Sequence, residues 1–78
     1  MREKTMKLVV TFHTTSEAIA MEKICKERQV PGRLIPVPRD LTADCGMAWS
    51  APLEAEERLR ALAAEEKLGC EGWHQIMV

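Results

Sequence analysis

"RLIPVPRDLTADCGMAWS", residues 33–50, holds two short extended stretches around a loop, with no helix-length apolar pattern between them. Residues 33–38, RLIPVP, read as a strand carrying Pro36, and residues 45–50, CGMAWS, as a second strand in which Gly46 marks a bulge or a close approach. With RDLTAD (39–44) as the loop, the two form a hairpin. A proline cannot donate to a ladder, so the strand holding Pro36 belongs at a sheet edge.

Toward the N-terminus, KLVVTF (7–12) is β-branched and aromatic, which predicts a central strand ending at His13. Thr14 and Glu17 then have capping-box spacing, and a helix should run from about Thr15 to Arg28. On it Ala18, Ala20, Met21, Ile24 and Cys25 share one arc, opposite Glu22, Lys23, Lys26 and Glu27. Cys25 therefore reads as a small buried hydrophobe. VPG (30–32) ends the helix.

Toward the C-terminus, Ser50 is placed to cap a second helix with Pro52 in its first turn. Glu54, Glu56 and Glu57 would sit at its positive end, Lys67 near its negative end, and Gly69 would stop it. Ala55, Leu59, Leu62, Ala63 and Glu66 share one face, while Glu54–Arg58 and Glu56–Arg60 are i,i+4 pairs on a solvated one. CEGWHQIMV (70–78) closes the order as a last strand with a weak point at Gly72.

Strand, helix, strand, strand, helix, strand is the split βαβ order: an α+β, ferredoxin-like βαββαβ domain over residues 1–78, with a four-stranded antiparallel sheet and both helices on one face. Its usual spatial order puts the second and fourth strands at the edges, in agreement with Pro36. The other sheet face would be open in a monomer, and Trp49, Trp73 and Met77 on it call for cover by homodimerisation or a partner domain.

Composition excludes several function classes. A chain of 78 residues buries only about 60% of its unfolded surface, which leaves little room for a deep substrate pocket. The apolar fraction of 46% suits a globular chain, and 11 basic against 12 acidic residues give no electrostatic footprint for nucleic acid. Arg33 and Arg39 flank the prolines without forming a patch. No apolar run reaches the roughly 20 residues of a membrane span, and MREKTMKLVV lacks the core of a signal peptide, so the expected location is the cytoplasm. Three cysteines, Cys25, Cys45 and Cys70, without a CxxC pair fit neither a disulfide framework nor a zinc ribbon.

The topology gathers chemistry at one rim. The first strand's end, the first helix's start and the hairpin loop should bring His13, Thr14, Arg39 and Cys45 together. A helix N-terminus, an arginine and an imidazolium all lower a thiol's pKa, whereas Asp44 opposes them. Small neighbours, Ala43 and Gly46, would leave the Cys45 sulfur approachable. A cysteine that merely packs at a strand start is the competing reading. Cys70, beginning the last strand at the same rim, is a candidate resolving thiol, although a disulfide to Cys45 would need loop movement. His13, Cys45 and Cys70 supply only three ligands without local spacing, so no metal and no cofactor are expected. His74 should face solvent away from the rim.

TFHTTSEAIAMEKICKE, VPGRLIPVPR and DCGMAW together resemble the family of small bacterial proteins described as sulfur or selenium (Se/S) carrier-like. The resemblance runs from about Val9 to Glu54, with the second helix and last strand matching in pattern. It implies a ferredoxin-like domain in which Cys45, before Gly46, carries a persulfide or its selenium equivalent, and in which Arg39 closes the preceding strand. A protein donor such as a cysteine desulfurase and a protein acceptor are the implied partners. The expected role is thus a thiol-based carrier rather than an enzyme with its own pocket, with His13, Arg39 and the helix N-terminus stabilising the Cys45 anion. The alternative is a binding or regulatory domain that acts through its open sheet face.

Overall fold

The computed structural model describes residues 5–38, 41 and 46–77. Arg39 and Cys45 lie outside these described residues, as do Ala43 and Asp44. The elements are β1 (Met6–Thr11), α1 (Thr15–Glu27), β2 (Arg33–Pro36), β3 (Met47–Pro52), a 3-10 turn (Leu53–Ala55), α2 (Glu56–Glu65) and β4 (Gly72–Met77). One antiparallel sheet has the order β2-β3-β1-β4, an α+β arrangement consistent with the ferredoxin-like class. Pro36 lies on an edge strand, where its missing N–H costs the ladder least.

The start of α1 follows from its sequence. The Thr14 hydroxyl accepts from the Glu17 N–H at 3.2 Å while the Glu17 carboxylate accepts from the Thr14 N–H at 3.3 Å, which is the complete capping box. Arg28 caps the other end, and Gln29 takes the left-handed conformation beyond it (φ 57°).

Alternation along the strands sorts side chains between two faces. Leu8 and Val10 of β1, Phe12 just after it, and Trp49 and Ala51 of β3 join Ala18, Met21, Cys25, Leu59 and Leu62 in the core beneath the helices. Register sets Trp49 and Trp73 on either side of Val10, both on this helix-covered face. The expectation that the two tryptophans line the open face is therefore corrected. Trp49 packs in the core cluster between sheet and helices and is 2% exposed there. Met77 shares the parity of Trp73 but is 52% exposed at the end of β4.

The face turned from the helices holds mostly small residues at its centre. One rung carries Ile35, Ala48, Thr11 and Gly72, and the next carries Arg33, Ser50, Val9 and His74. Val9, Thr11, Ala48 and Ser50 are all buried.

Three boundary expectations change. Ser50 does not cap α2, because the β1–β3 ladder continues to the Lys7–Pro52 pair and holds Ser50 in mid-strand opposite Val9. The helix begins only after a 3-10 turn, with no side-chain cap. Gly69 does not stop α2 either: Glu66 caps it and Lys67 adopts φ 55°, so a lysine fills the left-handed position reserved by expectation for glycine. Cys70 precedes β4 rather than beginning it.

Of the two surface pairs on α2, Arg60 reaches Glu56 at 2.8 Å. Arg58 instead donates to the Arg28 carbonyl at 2.9 Å, and Arg28 pairs with Glu65 and Glu66. These contacts tie the C-terminus of α1 to α2.

Candidate functional site

β1 continues through Phe12 to His13 and the Thr14 cap, and the β3 register puts Gly46 at this same end of the sheet. The Val37 N–H donates to the Gly46 carbonyl at 3.0 Å and closes the base of the β2–β3 connection. Gly46 is exposed with φ 75°, and a Cβ built there would meet nothing within 4 Å. Among the described residues, none crowds Gly46.

His13 is 56% exposed at its side chain, and its Nδ1 lies 3.6 Å from the Glu71 carboxylate. Glu71 is anchored by its own N–H, which donates to the Thr11 carbonyl at 2.7 Å. Sequence reasoning missed Glu71 as a rim residue. The signal was available, since the residue before a last strand that starts beside the end of β1 must lie next to His13.

The N-terminus of α1 is less available to an external anion than its position alone suggests. Glu17 Oε1 accepts from the His13 N–H at 2.8 Å and from the Thr14 N–H, and the Thr14 hydroxyl takes the Glu17 N–H. The helix thus supplies its own carboxylate to its positive end. The other Glu17 oxygen rests against Gly69, where a β-carbon would collide with it. Among the described rim groups, Glu17 and Glu71 set two carboxylates against one imidazole.

The two described cysteines are both unfavourable nucleophiles. Cys25 is fully buried, its Sγ donates to Met21 Sδ at 3.6 Å, and burial pushes its thiol from 9.0 up to about 11. This is the core role expected of it. Cys70 is half-buried against the same core, and burial followed by the Glu17 charge pushes its thiol from 9.0 up to about 11. Both effects disfavour the thiolate that a resolving cysteine needs. His74 is half-buried on the face turned from the helices, beside Gly72 and Thr11.

At the opposite end of α1 from the rim, a depression of about 200 Å³ is lined by Arg28, Val30, Arg58, Ala61, Leu62 and Glu65. Its guanidinium groups are already engaged in the contacts between the helices. Among the described residues no three His, Cys, Asp or Glu side chains converge as metal ligands, and no helix is long and apolar enough to cross a membrane.

The family model described as "Putative Se/S carrier protein-like" matches residues 7–75, and the chain belongs to that family. Among curated proteins and solved structures, none matches the chain.

Proposed function

We propose that this member of the Se/S carrier-like family holds sulfane sulfur, or selenium in its place, on Cys45 and passes it from a donor protein to an acceptor protein. The observation that carries this reading is the state of the other two thiols. Burial holds Cys25 and Cys70 protonated up to about pH 11, which leaves Cys45 as the family chain's third candidate.

The transfer balances without an added oxidant. The Cys45 thiolate attacks the terminal sulfur of a donor persulfide, the donor's S–S bond breaks, and the donor cysteine leaves as a thiolate. A new S–S bond then joins Cys45 to the transferred sulfur. An acceptor thiolate repeats the attack and releases Cys45 unchanged. His13 and Arg39 act on the anion that forms at each stage. Gly46, lacking a side chain, keeps the approach clear. The capping box makes the α1 N-terminus a smaller contributor than its place at the rim suggests, because the Glu17 carboxylate, held by the His13 and Thr14 N–H groups, already sets a negative charge there.

The test is persulfide loading by a cysteine desulfurase with free cysteine, followed by peptide mass spectrometry under non-reducing conditions. One added sulfur is expected on the Cys45 peptide, and Cys45→Ser should abolish it while Cys70→Ser leaves it intact. Label on Cys70 in place of Cys45 would overturn the assignment.

A further inference from the structure

The two edges of the sheet differ in how well they resist pairing with another strand. β2 is four residues long, contains Pro36 and is flanked by Pro31 and Pro38. Proline and short length are standard protections of an edge. β4, the other edge, runs six residues from Gly72 to Met77 with neither a proline nor a formally charged side chain. Its outer side has no strand neighbour among the described residues.

A second observation falls at the same place. Among the described residues the exposed large apolar side chains are Met6, Ile19, Leu53 and Met77. Met6 pairs directly with Met77, and Leu53 follows Pro52, the partner of Lys7. Three of the four thus gather at the corner where β4 ends.

We propose that β4 pairs antiparallel with β4 of a second copy of this chain, about a twofold axis at Gln75, to give a continuous eight-stranded sheet. An axis perpendicular to the sheet keeps both helical layers on one side and requires residues of the same face to sit opposite one another. Centred on Gln75, this register sets Trp73 opposite the second copy's Met77 and His74 opposite its Ile76. The exposed thioether then meets an aromatic edge, a favourable contact. On the outer helical layer, Arg60 stacks over Trp73 at 4.7 Å and Gln75 donates to Glu56 at 2.6 Å, so each side of the seam is already braced by α2.

A seam of six residues falls short of the roughly 800 Å² per partner of a standard interface, so the dimer should be weak and concentration-dependent. This inference is independent of the sulfur chemistry proposed above.

Sedimentation equilibrium of the full chain over a wide concentration range tests it. Self-association is expected for the wild type. Gln75→Lys opposes two ammonium groups across the axis and should weaken association by about fivefold or more. Position 75 is exposed, so the variant's thermal midpoint at low concentration should stay close to the wild type.

A second measurement fixes the location. On a Cys45→Ser, Cys70→Ser background, Gln75→Cys should oxidise to a 75–75 linked dimer, whereas Arg33→Cys on the β2 edge should not. A wild type that stays monomeric, a Gln75→Lys variant that associates undiminished, or equal cross-linking from position 33 would each overturn the proposal.

Discussion

Replacing Glu17 by glutamine separates two influences on Cys70 that the structure superimposes. Burial is the larger cause of its raised thiol pKa and the Glu17 charge the smaller. Together they lift it from 9.0 to about 11. The charge is thus the smaller share of that rise, and removing it should undo less of the rise than burial sustains. In Glu17→Gln the alkylation midpoint of Cys70 should accordingly fall, yet stay above the ordinary 9.0. Iodoacetamide rates across pH, read for each cysteine by peptide mass spectrometry, give the measurement. Cys25, whose thiol is raised by burial alone, serves as the internal control and should not move. Glutamine can still accept from the Thr14 N–H, so the helix cap loses its charge but keeps its shape, at a cost of about 0.3–1 kcal/mol. An unchanged Cys70 midpoint, or one that drops to the ordinary 9.0, would refute this ordering of causes.

Two further outcomes are expected. The buried Cys25 thiol has a folded-state pKa above its unfolded one, so the unfolded chain ionises first; its contribution to stability is intact below pH 9 and declines by about 2–3 kcal/mol as the pH passes about 11. Chemical denaturation at pH 7 and pH 10.5 should show a smaller alkaline loss in Cys25→Ala than in the wild type, and equal losses would contradict the linkage. Gly32→Ala places a Cβ 2.5–2.7 Å from the Trp49 indole, at φ 144°, and should cost about 1–3 kcal/mol with a change in tryptophan fluorescence. A melting midpoint indistinguishable from wild type would count against the close approach.

Much of this arrangement is written in local signals, and the discrepancies share a physical origin. The Thr14–Glu17 box and the Pro36 edge are short-range chemistry, visible without knowing any partner. Cys25 followed from helical periodicity in the same way. Which face Trp49 occupies depends instead on the register between β1 and β3, a long-range fact. Bulk offered a clue, since Leu8 and Val10 on β1 and Phe12 just after it alternate with Lys7, Val9 and Thr11, and the larger set goes to the helix side. Ser50 misled for a related reason: a serine before a proline resembles a cap until the pairing of Lys7 with Pro52 shows the ladder running past it. At the rim, His13 and Gly46 follow from topology, as does the place of Glu71 just before the last strand, whereas its approach to the His13 imidazole needs side-chain geometry. The roles of Cys45 and Arg39 rest on the family and the sequence.

The order β2-β3-β1-β4 also governs when the molecule can assemble. β1, the earliest strand, lies between the two latest ones, and its Thr11 hydroxyl donates to the carbonyl of Gly72, 61 residues away. Neither half of the chain can complete its own layer, because each half's strands are interleaved with the other's. On a ribosome, β1 and α1 would emerge with Leu8, Val10 and Phe12 still lacking their neighbours. β4 is the strand that covers the remaining side of β1, so folding of this domain should wait on it and be paced by contacts of high sequence separation.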